Sequence, residues 1–362
     1  MPVPPQQTRR LRGALSQTPG RFESEARAPF DDGWTREDEP LAPLATTITI
    51  ERARTIIARN DSPDIPFDQS INPYRGCEHG CVFCYARPSH SYLELSPGLD
   101  FETKLFAKIN AAELLRKELA KPGYKVSPIS LGANTDCYQP IERKYGVTRQ
   151  LIEILFECNH PLTIVTKSAL VERDLDLLAP MARKNLVKVF VSVDTLDHVL
   201  ARKLEPRAAS PKRRLDTLRA LSEAEVPCGV MVAPLIPALN DKTLEHVLEE
   251  AAKAGALEAA YVILRLPNEL KDIFKEWLAA HYPERADHVM SIVRQMRGGR
   301  ENDPRFHERM RGTGNFAELI SARFKIACKR LGLNGHGGGR RTLELDCSLF
   351  VPPSPGGQMK LF

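Results

Sequence analysis

Three cysteines fall within eight residues, in the run Asn72-Pro73-Tyr74-Arg75-Gly76-Cys77-Glu78-His79-Gly80-Cys81-Val82-Phe83-Cys84-Tyr85. The spacing, three residues and then two, puts three thiolates on one short loop. They can take three corners of a cubane iron–sulfur cluster, which is ordinarily held by four cysteines. One iron is then left open, and an open metal position is where a substrate or cofactor binds directly. The competing reading is a structural zinc site with His79 or His90 as fourth ligand. Zinc sites usually come as two separated ligand pairs, and no second pair is obvious in the chain. The other five cysteines, Cys137, Cys158, Cys228, Cys328 and Cys347, are scattered and read as small core hydrophobes.

Such a loop needs a scaffold, and the pattern after residue 70 supplies one. Apolar runs at Ser70–Arg75, Val126–Gly132, Leu162–Thr166, Val187–Val193, Gly229–Ala233 and Ala259–Leu266 read as strands. Helical periodicity at Thr103–Ala120, Thr148–Cys158, Glu172–Arg183, Leu215–Ala224 and Lys242–Ala254 separates them. Strands alternating with helices imply parallel pairing through right-handed crossovers, in a partial barrel or a doubly wound sheet. A barrel carries its functional groups at the C-terminal ends of its strands. The cysteines after the first strand, Thr135-Asp136 after the second, Lys167 after the third and Ser192–Asp194 at the fourth share that position.

Residues 70–268 are therefore the expected core. Residues 1–69, rich in Pro, Arg and acidic groups, read as an arm with a short amphipathic helix near Glu51–Arg59. Residues 269–350 read as a helical, basic extension, with helices at Lys271–His281, Glu284–Met296 and Phe316–Leu331. Residues 351–362 read as a flexible tail.

With 42% hydrophobic and 27% charged residues among 362, the chain has the composition of an ordinary globular protein. No apolar run reaches the roughly 18 residues of a membrane helix. Arg9, Arg10 and Arg12 are not followed by an apolar stretch, so the expectation is a cytoplasmic protein with no membrane partner. The net charge of +5 is uneven: residues 290–341 hold twelve Lys/Arg against four Asp/Glu. That stretch is either an electrostatic footprint for a polyanion or a solvated helical surface.

The C-x3-C-x2-C spacing, with an aromatic before the last cysteine, resembles the signature of the radical S-adenosylmethionine (SAM) superfamily. Over roughly residues 70–270 the chain is similar to the branch that contains spore photoproduct lyase. The resemblance implies a partial (β/α)6 barrel and a [4Fe-4S] cluster on Cys77, Cys81 and Cys84, with SAM chelated to the open iron. It implies reductive cleavage of SAM to a 5′-deoxyadenosyl radical that abstracts hydrogen. An electron donor such as flavodoxin or ferredoxin is implied with it.

Site residues follow by the same resemblance. The segment from Asn134 through Thr135, Asp136 and Glu142 is similar to one placed near the SAM amine. Asp136 capping a helix entry is the other reading of that segment. Lys167 matches a basic residue that reaches the SAM carboxylate, and Ser192 matches a SAM-contacting serine. Phe83 should face the adenine and Tyr85 should lie beside the cluster. Glu205-Pro206-Arg207 reads most simply as a surface ion pair. The lyase's hydrogen-donating cysteine corresponds to Asn134 here, and Phe83 stands where the lyase has a tyrosine. The same hydrogen relay is therefore not expected, and the substrate does not carry over with the fold.

The final Gln358-Met359-Lys360-Leu361-Phe362 resembles the peptide by which bacterial repair and replication proteins dock on the sliding clamp. It follows a Pro/Gly linker at Pro352–Gly357, although Leu361 and Phe362 could equally pack on their own domain. Together with Arg294, Arg297, Arg300, Arg305, Arg309, Arg311, Arg340 and Arg341, the tail makes DNA the expected substrate or surrounding. Two alternatives stand beside DNA repair or modification. One is radical chemistry on a small molecule or peptide, and the other a non-enzymatic nucleic-acid-binding module with a structural metal.

Overall fold

The computed structural model describes residues 12–23, 44–335 and 344–353. Its strands are β1 (Thr47–Glu51), β2 (Ile57–Arg59), β3 (Gln69–Ile71), β4 (Tyr74–Arg75), β5 (Lys104–Lys108), β6 (Ile129–Leu131), β7 (Leu162–Thr166), β8 (Val187–Ser192), β9 (Cys228–Leu235) and β10 (Glu258–Ile263). Seven form the main sheet, in the order β10-β9-β8-β7-β6-β3-β2. From β3 to β10 every neighbouring pair is parallel, and β2 adds an antiparallel edge. Helices Ala111–Leu119, Val147–Glu157, Leu175–Arg183, Pro211–Glu223 and Leu244–Lys253 fill the connections. The result is an α/β fold of six parallel strands, a partial (β/α)6 barrel.

Period-two alternation decides which way each strand residue points. Leu162 and Ile164 of β7 and Val187, Val189 and Val191 of β8 are fully buried. They share one apolar cluster with Leu151, Leu155, Leu178, Leu218 and Leu248 of the helices. Thr163, Val165, Lys188 and Phe190 alternate with them and are half-buried. At the β10 edge, Asn334 accepts from Ala259 N at 2.8 Å and donates to Ala259 O at 3.1 Å, which blunts an otherwise open strand.

Two stretches depart from the sequence expectation. Glu51–Arg59, expected as a helix, is divided between β1 and β2. The β-branched run Thr47-Ile48-Thr49-Ile50 favours extended backbone. Strand β1 pairs parallel with β5 in a second sheet of order β1-β5-β4. The expected helix Thr103–Ala120 begins with that strand and becomes helical only at Ala111. Leu105 and Ala107 are buried between half-buried Lys104, Phe106 and Lys108, a period of two rather than 3.6. Helix His198–Leu204, capped by the Asp197 carboxylate, is an element the periodicity does not reveal.

The C-terminal region buttresses the cysteine loop. Helices Leu270–His281 and Pro283–Gln295 place Phe274, Trp277 and Val293 in one apolar cluster with Val82, Phe83 and Leu204. Helix Gly314–Leu331 docks on Leu244–Lys253 through Arg323–Glu245, at 2.6 Å, and Arg330–Glu249. At the opposite end of the barrel, Val351 N donates to Cys158 O and Asp346 N to Asn185 O, both at 2.9 Å. Arg340, Arg341 and Gln358–Phe362 lie outside the described residues. Among the described residues no helix is long and apolar enough to cross a membrane.

Gly132, just past β6, tests this packing. It has φ +85°, and a Cβ there would stand 2.2 Å from Val165 O. Gly132→Ala is expected to cost at least about 2 kcal/mol, read as a lower urea midpoint. A loss under about 0.5 kcal/mol, the range of innocuous surface changes, would contradict the arrangement.

Candidate active site

Strand β3 ends at Ile71, and the chain passes through β4 into the cysteine loop. Gly76 and Gly80 turn it, with φ of +71° and +69°. A Cβ at Gly80 would meet the Glu102 carboxylate at 2.6 Å. Cys77 and Cys81 are buried, Cys84 is half-buried, and all three are free. Arg87 and Glu102, both wholly buried and 2.5 Å apart, fix the loop. Arg87 donates to Cys81 O at 2.8 Å, Gly80 O at 3.1 Å, Pro97 O at 3.2 Å and Gly98 O at 2.8 Å. Glu102 accepts from Gly13 N at 3.0 Å and Ala14 N at 2.8 Å, which draws the N-terminal segment across the loop.

Beside Cys81 four charges meet, three of them buried and the fourth, Lys167, half-buried. Lys167 Nζ, just past β7, lies 2.5 Å from Glu205 and 3.8 Å from Asp194. It stands 5.4 Å over the Phe83 ring. Arg214 pairs with Glu205 and with Asp194, the latter at 3.3 Å, and donates to Ser192 O at 3.0 Å. The Cys81 thiol donates to Glu205 at 3.8 Å. Two cations thus balance two carboxylates, as buried charges require. Burial and the Glu205 charge push the Asp194 carboxyl up to about 6. In Glu205 the effect of burial is outweighed by Arg214 and Lys167, which bring it down to about 2. Burial raises the Cys81 thiol strongly, with Glu205 adding to the effect, and burial with Cys77 pushes Cys84 up to about 11. A bound metal core reverses that logic by deprotonating its thiols.

The remaining expected residues divide into two groups. Cys77, Cys81, Phe83, Cys84, Tyr85, Lys167 and Ser192 gather at the C-terminal rim of β3, β7 and β8. Tyr85 is 46% exposed and donates to Ala133 O. Asn134 and Thr135 approach the rim by donating their backbone N–H groups to Asn72 Oδ1, and Thr135 Oγ1 donates to Tyr74 O at 3.0 Å. Asp136 accepts from Tyr138 N at 2.8 Å, Thr166 Oγ1 at 2.8 Å and Lys167 N at 2.7 Å, joining the second loop to the third. Glu142 stands apart. It accepts from Tyr74, from Thr148 N at 2.9 Å and from Arg173 at 2.7 Å, at the start of helix Val147–Glu157.

Sequence reasoning missed Arg87, Glu102 and Arg214, isolated charges with no local motif. It also took Glu205 for a surface group, and that is corrected here: Glu205 is 2% exposed and central to the network. Only Arg207, paired with Glu78 at 2.7 Å, keeps a partly exposed place.

The donor set suits a cubane: three soft sulfur ligands, two of them buried, one short of the usual four. It suits zinc less well. His79 lies 3.3 Å from Asp136. His90 donates from Nε2 to Lys104 O at 2.9 Å, with its ring edge-on to Phe101. Lys167, cationic and half-buried at the rim, suits a carboxylate such as that of SAM.

Comparison with known proteins identifies the family. The profile of the radical SAM superfamily matches residues 71–251, half of the chain. The protein belongs to the radical SAM superfamily, whose members use a [4Fe-4S] cluster and SAM. An uncharacterised protein of Mycobacterium tuberculosis is 36% identical over 291 residues, covering 79% of this chain and 84% of the relative. One from Methanocaldococcus jannaschii is 27% identical over 215 residues, covering 59% and 76%. Among solved structures, spore photoproduct lyase complexed with dinucleoside spore photoproduct gives a TM-score of 0.56 at 15% identity, covering 78% of this chain and 79% of the lyase. A lyase double mutant with bound AdoMet and the same dinucleoside gives 0.56 at 16%, with the same coverage. At those identities the likeness is one of fold.

The four-charge network makes a stability contrast. Glu205→Ala leaves Lys167 and Arg214 with one carboxylate between them and should cost about 3 kcal/mol or more. Arg207→Ala breaks a partly exposed pair and should cost less than about 1 kcal/mol. Equal losses in urea denaturation would refute the assignment of Glu205 to the interior network.

Proposed function

We propose that this protein holds a [4Fe-4S] cluster on Cys77, Cys81 and Cys84, binds SAM beside it, and abstracts hydrogen from a nucleic acid. The observation that supports the chemistry is the trio of free thiols at the barrel rim, two buried and one half-buried, with Lys167 and Cys81 both on Glu205. When bound, the cluster and SAM supply a 5′-deoxyadenosyl radical; that hard chemistry is the cofactors' own.

The chain's residues bind, orient and shield. Lys167 takes the SAM carboxylate, exchanging part of its contact with Glu205, while Arg214 keeps Glu205 neutralised. Phe83, already under the Lys167 ammonium, offers its ring to the adenine, and Ser192 adds a hydroxyl at the rim. Asn134, Thr135 and Asp136 shape the wall near the SAM amine. Asp136 does so while tethering Lys167 N, and Glu142 acts at a distance by holding Tyr74 and the following helix. Tyr85 covers the outer side of the cluster. A small redox protein such as flavodoxin or ferredoxin supplies the electron.

For the substrate, support comes from the solved lyase with a dinucleoside in the same fold and from arginines and exposed aromatics near the barrel mouth. The tail Gln358–Phe362 extends this reading to docking on a sliding clamp at DNA. One observation favours a second reading, radical chemistry on a small molecule or peptide. Much of the basic stretch is neutralised internally: Arg294 pairs with Glu301, Arg305 with Asp303, Arg309 with Asp64, Arg323 with Glu245 and Arg330 with Glu249.

The test is anaerobic reconstitution with iron and sulfide, followed by dithionite and SAM. 5′-Deoxyadenosine should form, and Cys81→Ala should abolish it together with the bound iron. Added DNA or RNA should raise the rate severalfold. Indifference to both polymers would leave the enzyme class and remove the nucleic-acid substrate.

A further inference from the structure

Arg265 follows β10 directly, at the same end of the barrel as the cysteine loop. Its guanidinium lies 5.5 Å over the ring of Tyr85, the neighbour of Cys84. Unlike Arg305 and Arg309, which pair with Asp303 and Asp64, it has no carboxylate partner among the described residues. Its Nε is buried without a hydrogen bond, and one terminal nitrogen meets only the Met310 sulfur, at 3.5 Å. Thioether sulfur is a weak acceptor. A half-buried cation with no carboxylate beside it gains from an anionic partner.

The surroundings are built to hold it there. Arg297, 1% exposed, donates to Leu264 O at 2.8 Å, Glu308 O at 2.9 Å and Arg309 O at 3.0 Å. This ties the end of β10 to the loop carrying Arg305, Phe306 and Arg309. Ile263 N donates to Met310 O at 2.9 Å, which continues the tie. The nearby carboxylate of Asp64 is already taken, by Arg309 and by His307 N at 2.6 Å. Phe306 is 51% exposed beneath the Arg309 guanidinium. An unpaired planar fork beside exposed rings is a combination that suits the phosphate and base of a single strand.

We propose that Arg265, oriented by Tyr85, binds a backbone phosphate of a single-stranded polynucleotide at the mouth of the barrel. The inference rests on the nucleic-acid reading above and names the residue that delivers it. The phosphate sits against Tyr85, so the sugar or base attached to it is carried toward the cluster side of the barrel.

The test uses anaerobically reconstituted protein, as wild type, Arg265→Gln and Arg265→Lys. Binding of a short fluorescent single-stranded oligonucleotide is followed by anisotropy over a range of salt, and SAM affinity is measured in parallel. Arg265→Gln should weaken oligonucleotide binding roughly tenfold, the scale of one charge-assisted contact. It should also make the slope of log Kd against log salt shallower by about 0.7. Arg265→Lys should keep the slope and lose only part of the affinity, which covers the case in which the glutamine variant does not fold. SAM affinity should not change. Unchanged oligonucleotide binding and slope in both variants would overturn the assignment while leaving the nucleic-acid reading intact. So would a loss confined to SAM affinity, which would assign the arginine to the cofactor's carboxylate. A wild-type protein that binds no polynucleotide would overturn the nucleic-acid reading itself, and this inference with it.

Discussion

The cysteine loop depends on one buried ion pair, Arg87 with Glu102. Such a pair is weak as a source of net stability, because desolvation offsets most of the attraction. Its value here is geometric. A planar fork of five donors can fix several carbonyls at once, and Arg87 holds those of Gly80 and Cys81 from inside the loop. The opposing carboxylate registers Gly13 and Ala14 against the same turn. Contact is close enough that a Cβ on Gly13 would stand 1.7 Å from Gly80 O. Three thiols with fixed backbones can then meet a rigid inorganic cluster without the loop having to reorganise.

The second constraint is charge balance beside that loop. Lys167, Arg214, Asp194 and Glu205 come from four different segments and neutralise one another only in the folded barrel. In the proposed function the network also sets the terms for cofactor binding. A carboxylate arriving at Lys167 adds a negative charge, and Asp194, raised by its surroundings, is the group nearest to accepting a compensating proton. The barrel's core, the helices behind it and the C-terminal pair at Phe274 and Trp277 make this network rigid by packing around it.

Much of this was legible in the sequence, for definite reasons. Leu162–Thr166 is a strand of the stated bounds, and Val187–Ser192 misses its expected end by one residue. Both carry the β-branched, period-two pattern that a half-buried strand needs. The cysteines and Lys167 were visible because spacing and position after a strand are local features. Arg87, Glu102, Arg214 and the true place of Glu205 were not, because their partners are distant in the chain. Glu51–Arg59 misled because its charged residues imitate a helical face, while its pairing with distant β5 and β3 decided otherwise. The basic stretch misled in the same way. A charge count cannot see that Arg297 is interior or that Arg309 belongs to Asp64.

The central claim is that three protein thiolates hold a four-iron cluster whose remaining iron is open to SAM. Mössbauer spectroscopy of iron-enriched, anaerobically reconstituted protein, recorded before and after SAM is added, tests it directly. The account predicts one iron environment in four changing on addition while the other three stay as they were. Four irons indifferent to SAM, or a protein that takes up zinc and no cluster, would contradict it.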